Sequence, residues 1–207
     1  MRRMSGARGS LLTALVCAGL LTACDSGESG EERPATAPVA ADGEGLVPDF
    51  VLALPQGTRL DRDDDRLAHG LLGDGGAGCR PLAWDDTGDD APGLTVYAAN
   101  DACAVDEDVH DHPLNGRHPV YRSAEDIPGE TAAAGREVTT PLGTALLFTQ
   151  TYTECTNSCE DFDEPFAVIT LSSPADPGYR SLVFTSLGAR LSLEELETMV
   201  VDRLSLP

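Results

Sequence analysis

Three of the chain's four histidines fall close together, in Asp108-Val109-His110-Asp111-His112-Pro113 and at His118. An H-x-H pair on a strand turns both imidazoles to one face, and Asp108 would add an oxygen, so Asp108, His110 and His112 are candidate ligands for zinc or copper. The same stretch contains Asp106-Glu107-Asp108 and ends at Pro113, and it follows Cys103. That composition also describes a solvated loop with exposed histidines. Metal-assisted hydrolysis would further need a poised base and an open coordination position, and the sequence places neither. No cofactor is expected.

A second group is Cys155-Thr156-Asn157-Ser158-Cys159. This C-x3-C pair resembles the copper-binding cysteines of Sco-type assembly proteins. That resemblance implies a thioredoxin fold with a downstream histidine. Here no βαβ pattern surrounds the pair, and the last histidine, His118, lies upstream. A structural disulfide is the expectation. Asp61-x-Asp63-x-Asp65 opens like a calcium-binding EF-hand loop but has Arg66 where glycine is needed and Leu72 where glutamate is needed. Gly73-x-Gly75-x-x-Gly78 matches a dinucleotide fingerprint, yet Cys79-Arg80-Pro81 cannot open the helix that fingerprint requires, so it reads as a glycine-rich loop. All 14 basic residues are arginine, which excludes Schiff-base, P-loop-lysine and Ser-x-x-Lys chemistry. No G-x-S-x-G or H-E-x-x-H occurs, and no catalytic residue is assigned.

The elements that position these groups begin with an address. Arg2, Arg3 and Arg8 precede the apolar run Leu11–Leu21, which is too short to span a bilayer and has the form of a signal peptide. It ends in Leu21-Thr22-Ala23-Cys24. This resembles the lipobox of bacterial lipoproteins, of the kind common in high-GC Gram-positive bacteria. The resemblance implies acylation of Cys24, cleavage before it, and a lipid-anchored chain on the outer face of the cell membrane. Loss of residues 1–23 removes three arginines and no acid, taking the formal charge from −21 to −24. So acidic a body makes nucleic acid an implausible partner.

Residues 24–45 are rich in Gly, Glu, Pro and Ala, with one Val and no aromatic. They read as an acylated cysteine followed by a disordered linker. A single domain is expected over 46–207. Its apolar segments are short and alternate with period two, predicting strands at Phe50–Leu54, Leu94–Ala98, Pro119–Arg122, Arg136–Thr140, Leu146–Thr153, Phe166–Leu171 and Ser181–Leu187. At the C-terminus the period changes. Ser192 and Glu195 form a capping box, and Leu193, Leu196, Met199, Val200 and Leu204 recur at helical spacing. The fold class is therefore α+β: an antiparallel sheet packed against a C-terminal amphipathic helix. That layout is loosely similar to the PsbP/Mog1-like sandwiches. Cys79, Cys103, Cys155 and Cys159 remain in the domain, and an even number outside the cytoplasm implies two disulfides. Of three pairings, proximity in sequence favours Cys79–Cys103 with Cys155–Cys159.

These features point to a membrane-anchored extracytoplasmic binding, sensing or envelope-interaction module with an unknown protein or small-molecule ligand. A metal-binding or metal-dependent protein built on the His110/His112 loop is the alternative.

Overall fold

Leu147, Ala167 and Ile169 alternate with Phe148, Phe166 and Val168 along two long strands, so both faces of their sheet need cover. The structure, a computed structural model, describes residues 36–39, 45–54, 60–61, 78–85, 93–104, 110, 113–175 and 177–207, all within the unit Arg33–Pro207. The signal segment 1–23, Cys24, most of the linker, Asp63, Asp65, Gly73, Gly75, Asp108 and His112 lie outside the described residues.

Seven antiparallel strands form the main sheet: β3 (Leu60–Asp61), β4 (Arg80–Asp85), β5 (Thr95–Ala99), β6 (Arg136–Thr140), β7 (Gly143–Cys155), β8 (Cys159–Leu171) and β9 (Ser181–Thr185), in the order β3-β4-β5-β9-β8-β7-β6. A second sheet has the order β1-β2-β10, with β1 at Thr36–Val39, β2 at Phe50–Ala53 and β10 at Leu204–Ser205. Two α-helices lie wholly within the described residues, α1 (Gly129–Ala134) and α2 (Leu193–Asp202). The domain is thus mostly antiparallel sheet with few helices, and a helix stands near the C-terminus as expected.

One face of the main sheet joins a core with β2, β10 and α2. Phe50, Leu52, Leu147, Ile169 and Phe184 meet Leu196, Met199 and Val200 of the helix there. Ser192 caps the helix: its hydroxyl accepts from the Glu195 N–H, while the Glu195 carboxylate accepts from the Ser192 N–H. The other face packs Tyr97, Phe148, Phe166, Val168 and Val183 under Val120, Tyr121 and Ile127, which come from the segment before α1.

Two departures from the sequence reading concern this framework. Thr36–Val39 form an edge strand on β2, inside the span expected to be a linker; Pro38 is tolerated because an edge strand has one row of backbone donors with no ladder partner. Pro119–Arg122 are not a strand. Their polar backbone is met by side chains instead: the Tyr121 N–H donates to Tyr97 Oη at 3.0 Å, and the Val120 carbonyl accepts from His110 Nε2 at 3.0 Å.

Cys79 pairs with Cys103 and Cys155 with Cys159. Beside the first pair, Gly78 has φ +87°, and a Cβ there would lie 2.1 Å from the Ala102 carbonyl oxygen. Only glycine fits so close a backbone approach in that conformation.

Candidate functional site

The β7–β8 hairpin is in register from Gly143↔Leu171 to Cys155↔Cys159. Its neighbours stop short. β6 pairs with β7 only as far as Leu147, and β9 begins pairing with β8 at Phe166. The outer half therefore projects as a two-stranded ribbon. Its β7 edge is met by Pro113–Asn115: the Thr153 N–H donates to the Pro113 carbonyl at 3.0 Å, and the Asn115 N–H donates to the Thr153 carbonyl at 3.1 Å. Asn115 Oδ1 also accepts from the Cys155 N–H at 2.6 Å.

On one face of the ribbon, period two aligns Phe148, Gln150 and Tyr152 with Phe162, Glu164 and Phe166. Glu164 is fully buried, a carboxylate in an apolar series. Two donors satisfy it: His118 Nδ1 at 3.0 Å from Oε2, and the Gly188 N–H at Oε1. A carboxylate accepts from Nδ1–H, so in the neutral imidazole the lone pair falls on Nε2. The His118 side chain keeps 15% of its surface exposed, and among the described residues Nε2 has no partner. The ring stacks on Tyr152 with centroids 4.2 Å apart.

Tyr152 donates its hydroxyl hydrogen to the Glu154 carboxylate and accepts from the Gly116 N–H. Burial, then the hydrogen bond to Glu154, pushes its pKa up to about 12, so it stays a neutral donor. Beside this group the Tyr121 hydroxyl donates to Gln150 Oε1 at 3.4 Å. Burial raises the pKa of both Tyr121 and Tyr97 well above the ordinary phenol value. On the same sheet face, the hydroxyls of Thr95 and Thr185, which are cross-strand register partners, are buried without a hydrogen-bond partner.

His110 corrects the picture of exposed loop histidines. It is 5% exposed and stacks on Tyr121 at 4.6 Å. Because a carbonyl only accepts, Nε2 carries the hydrogen it gives to Val120, and a metal ion could reach His110 only through Nδ1. His112 and Asp108 lie outside the described residues. Among the described residues no group of three His, Cys, Asp or Glu side chains could hold a metal ion.

The structure thus joins His118 to Glu164, 46 residues away, and adds Tyr152, Gln150 and Tyr121. Sequence reasoning missed Glu164. Its signal was present: Phe162, Glu164, Phe166 and Val168 share one face by period two, with a lone acid among apolar neighbours. Chemically, a carboxylate-oriented imidazole with a free Nε2, flanked by a neutral phenol, can accept a hydrogen bond or a proton from a polar ligand.

Comparisons of the chain with protein-family models, curated proteins and solved structures find no match.

Proposed function

We propose that this chain is a lipid-anchored extracytoplasmic lipoprotein, tethered at Cys24, whose folded body is a non-catalytic binding or sensing module. One observation carries the reading. All four cysteines of the body are used in two disulfide pairs, the pattern of an oxidising compartment, and they follow a segment with the form of a lipoprotein signal. Helix α2 belongs to the same reading as the amphipathic cap of the sheet, with Leu196, Met199 and Val200 inward and Glu194 and Glu195 at its acidic first turn. The ligand would be a small polar molecule or peptide group that donates a hydrogen bond to His118 Nε2. The membrane is reached through the acyl chains alone, and a body of this charge stands off an anionic lipid surface. Among the described residues no helix is long and apolar enough to cross a membrane.

The test is to express the full chain in a high-GC Gram-positive host and weigh its N-terminal peptide. A mature chain starting at a diacylglyceryl-modified Cys24, recovered with membranes and released to the medium in C24A, supports the reading. An unmodified Cys24, or a chain that keeps residues 1–23, overturns it.

A further inference from the structure

The two disulfides sit in different surroundings. Cys103 is 1% exposed and belongs to the core under Tyr121. Cys155 and Cys159 close the outer end of the projecting ribbon, as direct cross-strand partners around Thr156-Asn157-Ser158. Every residue from Thr156 to Asp161 is exposed, Cys159 among them. Among the described residues no strand of the main sheet flanks this end, and at Cys155 the backbone N–H donates to Asn115 Oδ1.

We infer that Cys155–Cys159 is a thiol–disulfide exchange site that reacts in the folded protein with a dithiol carried in neutral or cationic surroundings, while Cys79–Cys103 stays closed. Exposure gives an incoming thiolate access to Cys159 Sγ. The thiolate bonds to that sulfur, the Sγ–Sγ bond breaks, and Cys155 Sγ leaves with the electron pair and takes a proton from water. The second thiol of the reagent then displaces Cys159 Sγ, which is protonated in turn. Two electrons pass to the protein and the dithiol leaves as its own disulfide. The charge around the pair selects the reagent. Glu154, Glu160 and Asp161 adjoin the cysteines in sequence and outnumber Arg117, which stands two residues from Asn115 on the flanking segment. Anionic thiols are repelled at low salt and cationic ones are drawn in. The site serves as the disulfide partner in this exchange. Opening it loosens the turn that Asn115 holds, on the segment that carries His118. The inference stands whether or not Cys24 is acylated.

The experiment uses the full chain purified without reductant, with free thiols blocked by N-ethylmaleimide. It is treated with dithiothreitol under native conditions, quenched with iodoacetamide at intervals and mapped by peptide mass. Cys155 and Cys159 should become alkylated at least about tenfold faster than Cys79 and Cys103, because Cys103 lies in the core and Cys79 is half-buried against it, so that pair waits for local opening. The double variant C155S/C159S should lose the fast phase and keep its circular dichroism. Cysteamine should outpace thioglycolate several-fold, each normalised to its rate with a neutral model disulfide, and the gap should narrow in high salt. Equal rates at both pairs, or opening only as fast as the whole domain unfolds, would overturn the site. An equal or reversed preference between the two monothiols would overturn the assigned class of reagent.

Discussion

A carboxylate without solvent contact must have its charge met by the protein, and Glu164 meets it with His118 and the Gly188 N–H. Replacing His118 by Ala removes one of those donors and leaves a buried, half-satisfied acid. Urea unfolding of H118A should therefore show a loss of about 2 kcal/mol, the usual cost of leaving a buried polar group short of a hydrogen-bond partner. An unchanged midpoint would mean that Glu164 is satisfied by other means. Asp126 differs. Burial pushes its pKa up, but the Arg122 side chain at 2.8 and 2.9 Å, and the Arg122 N–H, outweigh burial and hold it below the ordinary value. A depressed folded pKa contributes stability that is fully present above the unfolded value of about 4 and is lost as pH falls through the folded one. Thermal melts taken from pH 5 down to pH 2 should lose less stability in D126N than in the parent chain. At this scale, the sequence made His118 visible as one of three clustered histidines. It could not join His118 to Glu164, because a contact across 46 residues depends on where the covering segment lands.

The elements divide by how local their signals are. Helix α2 was legible because its cap, period and acidic first turn occur within one short stretch, each reinforcing the others. Replacing Ser192 by Ala should cost about 1 kcal/mol in chemical denaturation, with Gly nearer to neutral; equal losses for both would show that the cap bond is not what matters. Strand β4 was not legible. Pro81 interrupts a short apolar run, which ordinarily argues against a strand, and here the ladder absorbs the missing donor with a register shift between Pro81 and Ala83. Pro119–Arg122 erred the other way. Val120 and Tyr121 have strand-like side chains, but Tyr97 and His110 supply the hydrogen bonds a neighbouring strand would have given. Local propensity reports how a residue fits a pleated surface, not whether a partner strand exists.

For the whole molecule, the main sheet is covered on both faces, and the Cys79–Cys103 bond ties the chain on either side of the β4–β5 pair. A link across 24 positions constrains the unfolded chain by about 3 kcal/mol. The double variant C79S/C103S should melt several degrees lower, and a melt unchanged from the parent would mean that packing alone holds this region. Strand β1 has a bearing on the reach of the molecule. On the proposed anchor at Cys24, eleven residues, Asp25–Ala35, separate the lipid from the first residue of the sheet. Whatever their conformation, they span at most about 40 Å, roughly half of what a leash running to Gly45 would allow. The domain would patrol a shallow layer just above the bilayer, meeting other membrane-bound molecules far more readily than those out in the cell wall.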